Sequence, residues 1–497
     1  MELYKLTIHE ARDLLRKKEI SSRELTKSIL DRIRTTEDQI QSFITIDYKG
    51  ALKQADRFDR MQRKSDSVTM PDLAGIPYGL KDNICTKGIR TTCASRIMEY
   101  FNPIYEGTVV KKLKNAHAVL VGKLNMDEFA IGSSGETSIF PHTRNPWSGD
   151  RVPGGSSGGS AASVAADQIL FSLGSDTGGS IRQPASFCGI VGLKPTFGAV
   201  SGYGLIPFAT SLDQIGPLCK DVTDCAIVMN AITGFDSNDR ASANVHYPDY
   251  TQFLKDGVSG MRIGLPQKWM AGSLKEDVHT AIEKAAKMFE SMGANIEEVS
   301  LPHIEYAVPV YLLISSAEAS YNLTGTKGMQ MGYKKGTIPE LDELAVETGL
   351  LGLGAGVKKR ILLGNIGLHS ENYDAYYMKA LRIRTLIKQD FEQAFEKCDL
   401  ILSATNPDTA FRFGEMQNNT VGMFEYDAFT VPVNLSGLPA VSIPCGFDAN
   451  GLPIGMQLIG KHFGEGDLFR AAYTYEQNTD HHIKSPIRMT SIRDNHG

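Results

Sequence analysis

Two glycine-rich segments of the chain carry closely spaced serine hydroxyls. The first, residues 153–162, reads Pro-Gly-Gly-Ser-Ser-Gly-Gly-Ser-Ala-Ala, and the second, residues 174–184, contains Thr177-Gly-Gly-Ser180. A serine alcohol becomes a useful nucleophile only when a base removes its proton, and acyl transfer also needs N–H donors for the oxyanion. Consecutive glycines let the backbone approach a substrate closely. The pattern therefore predicts acyl-transfer chemistry, with 177–180 able to supply both a hydroxyl and amide donors.

Two other interpretations of these segments are weaker. A flexible linker would stay polar, but the apolar stretches Val164-Ala-Ala and Ile169-Leu-Phe follow directly. A phosphate-binding loop would show the pattern G-x-x-x-x-G-K-[ST], which neither segment contains.

The base that would activate a serine has two candidates. None of the eleven histidines lies in or beside the glycine-rich segments, although a distant one could fold back. The other candidate is Lys81, whose neighbours Ile76, Leu80 and Ile84 favour burial over a solvated loop position. Its pKa must fall by about 3.4 from the reference value to reach neutrality at pH 7, which costs about 4.6 kcal/mol. Full burial can lower a lysine pKa by about 3–5, so a dry pocket is sufficient.

These residues together carry a resemblance to the amidase signature family. The matching motifs are Gly79-Leu-Lys81, Gly155-Ser-Ser-Gly-Gly-Ser160 and Gly178-Gly-Ser-Ile-Arg182, and Ser156 and Ser180 are 24 residues apart. The resemblance implies that Ser180 is the nucleophile, that Ser156 relays its proton and that Lys81 is the base. It also implies an oxyanion hole from the amides of Thr177, Gly178, Gly179 and Ser180, and no metal or organic cofactor in this chain.

Within the family, the chain most resembles the glutamine-hydrolysing subunits of tRNA-dependent amidotransferases. The resembling segments are residues 125–130, 144–147, 211–217 and 374–377. This resemblance implies that a glutamyl-enzyme forms and that ammonia passes to partner subunits, one of which would use ATP and Mg²⁺. It implies no direct nucleic-acid contact and no membrane contact for this chain.

The same resemblance implies a substrate site for a free amino acid. It places Arg360 at the α-carboxylate and Asp427 at the α-ammonium of glutamine, with Tyr311 and Ser133 in the pocket. A zwitterion in a partly dry site needs a partner for each charge, so these residue types fit the expectation. For Arg360 alone, the preceding Lys358 and Lys359 leave a solvated charge run as an alternative.

Some positions depart from the usual pattern of these subunits. They are residues 322–328, residues 424–426, Ala199 and Gly202. The alternative function is therefore a stand-alone amidase, or a paralogue that supplies ammonia or hydrolyses an amide by acting on a different small amide.

Composition fits a folded enzyme. The 497 residues are 42% hydrophobic and 22% charged, with a net charge of −5, and no segment concentrates basic residues as a polyanion site would. The seven cysteines show no zinc-ligand spacing and indicate buried thiols in a reducing compartment. The N-terminus lacks a secretory h-region, and prolines interrupt the uncharged stretch 428–447, so we expect a cytoplasmic protein.

The elements that must position this chemistry are an α/β domain and a helical arm. Residues 1–65 read as helices packed on a single large domain, 66–490, with a possible surface insertion near 234–250. Strand, helix and strand patterns over 261–301 predict a βαβ unit, and 440–443 and 455–459 predict a hairpin. We expect a mixed, largely parallel central sheet covered by helices.

Overall fold

A computed structural model of the chain describes residues 2–64, 70–255, 257–323, 352–416 and 419–486. Eleven strands form one sheet in the order β1-β3-β2-β4-β6-β5-β10-β11-β9-β7-β8. The strands are β1 Phe43–Ile46, β2 Pro77–Lys81, β3 Val119–Leu124, β4 Phe171–Asp176, β5 Val191–Lys194, β6 Gln214–Cys219, β7 Arg262–Leu265, β8 Asn295–Glu298, β9 Leu400–Ala404, β10 Ala440–Phe447 and β11 Pro453–Gly460.

Helices surround the sheet. In chain order they are α1 Ile8–Arg16, α2 Ser22–Ile40, α3 Tyr48–Gln62, α4 Thr108–Asn115, α5 Gly158–Ala165, α6 Arg182–Cys188, α7 Val222–Ile232, α8 Gln267–Met270, α9 Glu276–Ser291, α10 Ala307–Leu323, α11 Ala355–Leu368, α12 Lys379–Lys397, α13 Thr420–Asp427, α14 Val431–Leu435 and α15 Glu465–Gln477. Short 3-10 turns include Arg96–Met98 and Glu128–Ala130, and a π-helical turn spans Tyr373–Met378. Within the described ranges, no helix is both long enough and apolar enough to cross a membrane.

The mixed sheet covered by helices is confirmed, but the expectation that it is largely parallel is wrong. Of the ten strand pairs in the described sheet, six are antiparallel and four are parallel. The antiparallel pairs arise where short connections reverse the chain, as in the β10–β11 hairpin, and where β6 returns between β4 and β5. The predicted βαβ unit (β7, α9 and β8) and the predicted hairpin are both present.

The N-terminal arm contains a strand that its sequence pattern did not reveal. Capping boxes at Thr7 and Ser21 start α1 and α2. Between α2 and α3, however, β1 pairs antiparallel with β3 at the sheet edge. This four-residue strand is too short to show a clear alternation, and tertiary pairing stabilises it.

Three neighbouring parallel strands position the site. Strand β2 lies between β3 and β4 and pairs in parallel with both. Because the carboxyl ends of parallel strands meet at one edge of a sheet, the residues that follow these strands come together there. Those residues are Lys81 at the end of β2, the segment 125–130 after β3 and the segment 177–180 after β4.

All seven cysteines are buried free thiols, as predicted. The segment 234–250 contacts the loop that holds Ala199 and Gly202, since Asp239 Oδ2 accepts the Gly202 N–H at 2.7 Å. Ala199 is fully buried. In the departing segment 322–328, Asn322 Nδ2 donates to the Phe208 carbonyl at 3.2 Å, whereas residues 324–328 lie outside the described residues.

Candidate active site

Lys81 is completely buried and contacts one of the two candidate serines. Its Nζ lies 2.7 Å from Ser156 Oγ and donates to the Ser175 carbonyl at 3.1 Å. Burial lowers the pKa of Lys81 to about 7, although the negative charges of Asp127, Asp176 and Asp213 oppose this shift. A neutral amine can accept the proton of a hydroxyl at this distance, so the geometry suits a general base.

Another buried lysine shows what distinguishes Lys81. Lys123 is equally inaccessible, but its Nζ is 3.2 Å from the Asp82 carboxylate and donates to the Ile84 carbonyl at 2.8 Å. At Lys81, a hydroxyl and a carbonyl take the place of the carboxylate.

Ser156 lies in a loop that needs glycine before it. A β-carbon on Gly155 would lie 2.0 Å from Asp127 Oδ2 and 2.8 Å from the Ser134 nitrogen. The Gly155–Ser156 peptide bond is cis, and the Gly155 N–H donates to Gln183 Oε1 at 2.9 Å. These close contacts place the Ser156 hydroxyl at the Lys81 amine.

Ser180 lies in the turn between β4 and α6, and Asp176 organises that turn. The Asp176 carboxylate accepts the N–H groups of Gly179 at 2.8 Å and Ile181 at 3.1 Å, and it pairs with Arg182 at 3.0 Å. Burial opposes ionisation of Asp176, but the Arg182 guanidinium outweighs it and holds the pKa of that carboxyl well below its usual range. Ser180 keeps 7% of its surface accessible. Its carbonyl accepts the Ser157 N–H at 3.2 Å, so the two serine loops are in contact.

The predicted oxyanion donors have different surroundings in the structure. The Gly179 N–H is engaged by Asp176, and a β-carbon at Gly179 would lie 2.3 Å from Thr430 Oγ1. The Gly178 carbonyl accepts the Thr430 hydroxyl at 2.7 Å. The Thr177 hydroxyl donates to Asp213 at 2.6 Å. The oxyanion hole stays a prediction, with the amides of Thr177, Gly178 and Ser180 as its remaining donors.

Asp427 and Ser133 meet at the end of α13. The Ser133 hydroxyl lies 3.0 Å and 3.2 Å from the two carboxylate oxygens of Asp427, and Asp427 is buried. Burial raises the pKa of Asp427 to about 7, while Ser133 and Arg360 lower it. A buried carboxyl in this state gains a partner, and ionises more easily, when a ligand ammonium group arrives.

Arg360 points inward from α11 rather than joining a solvated run. Its Nη1 donates to Ser315 Oγ at 3.3 Å, and its guanidinium carbon lies 5.7 Å from the centre of the Tyr311 ring. Lys359, the next residue back, is exposed. Tyr311 also reaches the nucleophile loop, since a β-carbon on Gly178 would lie 2.8 Å from its Cζ. The four predicted substrate residues therefore form two groups, Ser133 with Asp427 and Tyr311 with Arg360.

Two carboxylates at the site were given no role from the sequence. Asp127 is buried and accepts the Gly135 N–H at 2.9 Å and the Thr137 hydroxyl at 2.8 Å, which shapes the loop that carries Ser133. Glu128 is also buried and contacts the start of α11. Both belong to the segment 125–130. The signal that could have found them was a pair of adjacent acids shortly after the end of β3.

The fold is α/β, and a buried lysine contacts a serine hydroxyl at the carboxyl edge of parallel strands. Together these features define a hydrolase of the amidase type, which acts on C–N bonds. The chain belongs to the amidase family, whose model, described as "Amidase", matches residues 24–469.

The chain is similar over nearly its whole length to A subunits of glutamyl-tRNA(Gln) amidotransferase. It is 52% identical over 477 residues to the A subunit of glutamyl-tRNA(Gln) amidotransferase from Caldanaerobacter subterraneus subsp. tengcongensis, covering 96% of this chain and 97% of the relative. It is 54% identical over 486 residues to the protein of that name from Heliobacterium modesticaldum, covering 98% and 99%.

Solved structures show the same fold. The crystal structure of the corresponding glutamyl-tRNA(Gln) amidotransferase protein from Thermotoga maritima, again the A subunit, is 41% identical, with a TM-score of 0.80 and 96% of each chain covered. Native peptide amidase from Stenotrophomonas maltophilia is 28% identical, also with a TM-score of 0.80, and 98% and 99% of the two chains are covered.

Proposed function

We propose that this chain is the glutamine-hydrolysing subunit of a tRNA-dependent amidotransferase. The observation that carries the proposal is a buried carboxyl, Asp427, and an inward guanidinium, Arg360, each linked to the loop that bears Ser180 through one residue. Thr430 Oγ1 donates to the carbonyls of Gly178 and Asp427, and Tyr311 lies against both Gly178 and the Arg360 guanidinium. Burial raises the pKa of Asp427 and the Arg360 charge lowers it, and two such opposite charges fit the ammonium and carboxylate of a free amino acid, whereas a simple amide would leave both unused. The two relatives described above, each with more than half of the compared residues identical, carry the name of this subunit, which favours this function over a stand-alone amidase.

The proposed reaction uses Ser180, Ser156 and Lys81 in sequence. Neutral Lys81 takes the proton of Ser156 as Ser156 takes that of Ser180, and Ser180 Oγ attacks the side-chain amide carbon of glutamine. The remaining amides of 177–180 would stabilise the oxyanion. When the intermediate collapses, the C–N bond breaks and the proton returns through Ser156 to the leaving nitrogen, which departs as ammonia. Water then hydrolyses the glutamyl ester and regenerates the Ser180 hydroxyl.

The proposal assigns other steps to partner subunits. Ammonia would pass to a partner that activates the tRNA-borne acid with ATP and Mg²⁺, and that partner would contact the nucleic acid. This chain would work in the cytoplasm, where those partners and free glutamine are present.

The proposal is tested by ammonia release from glutamine, measured with the companion subunits present. Ser180→Ala should abolish release, and Ser160→Ala, a serine of the same motif whose Oγ donates to the Leu173 carbonyl, is the matched control. Glutamine should be strongly preferred over γ-aminobutyramide, which is glutamine without its carboxylate, and over glutaramate, which is glutamine without its amine. Equal turnover of all three amides would contradict the proposal and favour a stand-alone amidase.

A further inference from the structure

Glu128 connects the catalytic edge of the sheet to the helix that carries Arg360. It lies four residues after the end of β3 and is 1% exposed. Ser95 Oγ donates to Glu128 Oε1 at 2.5 Å, and the Gly354 N–H donates to Glu128 Oε2 at 2.8 Å. Gly354 is the residue directly before α11, so a carboxylate from the sheet edge holds the chain where the helix begins.

The approach of Glu128 to the helix is close enough to require glycine. A β-carbon on Gly354 would lie 2.3 Å from Glu128 Oε2. Gly354 offers no side-chain cap of its own, so the Glu128 carboxylate supplies the negative partner at this helix start. Negative charge is favoured at a helix N-terminus because the free N–H groups and the helix dipole point there.

The position of α11 decides where the Arg360 guanidinium lies. Among the described residues, the Arg360 guanidinium donates to the Ser315 and Ser316 hydroxyls at long distances of 3.3 Å and 3.4 Å, and no carboxylate lies within 4.0 Å of it. Further along the helix, a β-carbon on Gly364 would lie 2.0 Å from the Ser316 carbonyl, so α11 also packs tightly on α10. The Glu128 contact and this glycine contact fix the helix on either side of Arg360.

We propose that Glu128 is a positioning residue that makes the site selective for amides with an α-carboxylate, because it fixes α11 and thereby aims Arg360 at that group. The inference rests on the proposed function. Because the Glu128 carboxylate is buried against Ser95 and Gly354, its loss should affect binding of the substrate carboxylate and leave amide-bond cleavage unchanged. A purely structural role would instead weaken turnover of every amide alike.

The test compares glutamine with γ-aminobutyramide in the assembled complex. Glu128→Ala should raise the KM for glutamine about tenfold or more, with kcat within about twofold of the parent, and should leave kcat/KM for γ-aminobutyramide unchanged. Glu128→Gln should recover part of the glutamine KM, because its amide oxygen can still accept the Gly354 N–H. Arg360→Ala should remove the preference for the carboxylate, and the Glu128→Ala substitution should then have no further effect.

The outcomes separate the inference from the proposed function. If the parent enzyme shows no preference for glutamine over γ-aminobutyramide, the proposed function itself fails. If the parent shows the preference and Glu128→Ala keeps it, or if Glu128→Ala lowers kcat/KM equally for both substrates, the positioning role is wrong. Thermal unfolding monitored by circular dichroism checks that each variant is folded. If Glu128→Ala does not fold, the comparison of glutamine with γ-aminobutyramide is made with Glu128→Gln.

Discussion

The Lys81 Nζ lies 2.7 Å from Ser156 Oγ inside a fully buried pocket, and no carboxylate of the described residues is hydrogen-bonded to it. This contact joins a strand end to a loop 75 residues further along the chain. It makes the hydroxyl and the amine one proton-transfer unit, since burial has already removed most of the energy needed to deprotonate the lysine. The chemistry proposed for the site follows from this pair.

Replacing the base should stop turnover without preventing substrate binding. Lys81→Met removes the amine and keeps an apolar side chain in the pocket, and kcat for glutamine should fall about a thousandfold. Steady-state ammonia release measures kcat, and calorimetric titration with glutamine measures binding. A Lys81→Met enzyme with more than about a tenth of the parent kcat would show that another group is the base.

The pH profile should report the charge of Lys81. Because the pKa of this amine is lowered to about 7, it is protonated below that pH, and kcat should decline as the pH falls through 7. The negative charge of Asp127 raises the Lys81 pKa, so Asp127→Asn should move the acid limb of the kcat profile to lower pH. An unchanged limb would mean that Asp127 only holds the loops together.

Binding of the ammonium group should depend on the charge of Asp427. Burial raises the pKa of this carboxyl to about 7, so below pH 7 it becomes neutral and loses its attraction for the substrate amine. In the inactive Ser180→Ala variant, the Kd for glutamine should therefore rise as the pH falls below 7. The Kd for glutaramate, which lacks the amine, should rise little.

Asp427→Asn supplies the complementary measurement. It should weaken glutamine binding about a hundredfold and remove the pH dependence of the Kd, because the ammonium loses its charged partner. Equal losses for glutamine and glutaramate would place the ammonium elsewhere.

Two neighbouring cations on α11, Arg360 and Lys359, provide a matched pair of variants that tests recognition of the substrate carboxylate. Arg360→Ala should lower kcat/KM for glutamine about a hundredfold and leave γ-aminobutyramide nearly unaffected. Lys359→Ala removes an exposed charge next to Arg360 and should change kcat/KM for neither substrate. If both variants lower kcat/KM for glutamine equally, Arg360 acts only through its charge at a distance.

The glycine before Ser156 should be irreplaceable. Gly155→Ala would bring a β-carbon to 2.0 Å from Asp127 Oδ2, so the loop must shift and the serine must leave the lysine. We expect kcat to fall at least about tenfold, together with about 1–3 kcal/mol of stability. Gly149→Ala is the control, because no atom lies within 4 Å of a β-carbon there. Full activity of Gly155→Ala would show that the Ser156 position is not critical.

Local sequence patterns predicted much of this molecule. The hairpin of β10 and β11 and the βαβ unit follow from turn residues and alternation, both of which act over short distances. The apolar residues around Lys81 also predicted its burial correctly. These features depend on neighbours in the chain, which a sequence displays directly.

Contacts between distant segments were not predictable in the same way. The strand β1 is stabilised by its pairing with β3, and the sheet has more antiparallel pairs than the βαβ pattern suggested. The direction of Arg360 depends on how α11 packs against α10, while the charge run before it resembles a solvated surface. Glu128 and Gly354 are separated by 226 residues, so nothing local indicates that they meet.

NMR titration of the Lys81 side chain tests most directly whether this amine loses its proton near pH 7, as the proposed mechanism requires. With lysines labelled at the ε-carbon, the Lys81 signal can be assigned by its absence in Lys81→Arg. We predict a titration midpoint near pH 7, well below the reference lysine pKa of about 10.4. A Lys81 that stays charged to pH 9 or above would contradict the proposed mechanism.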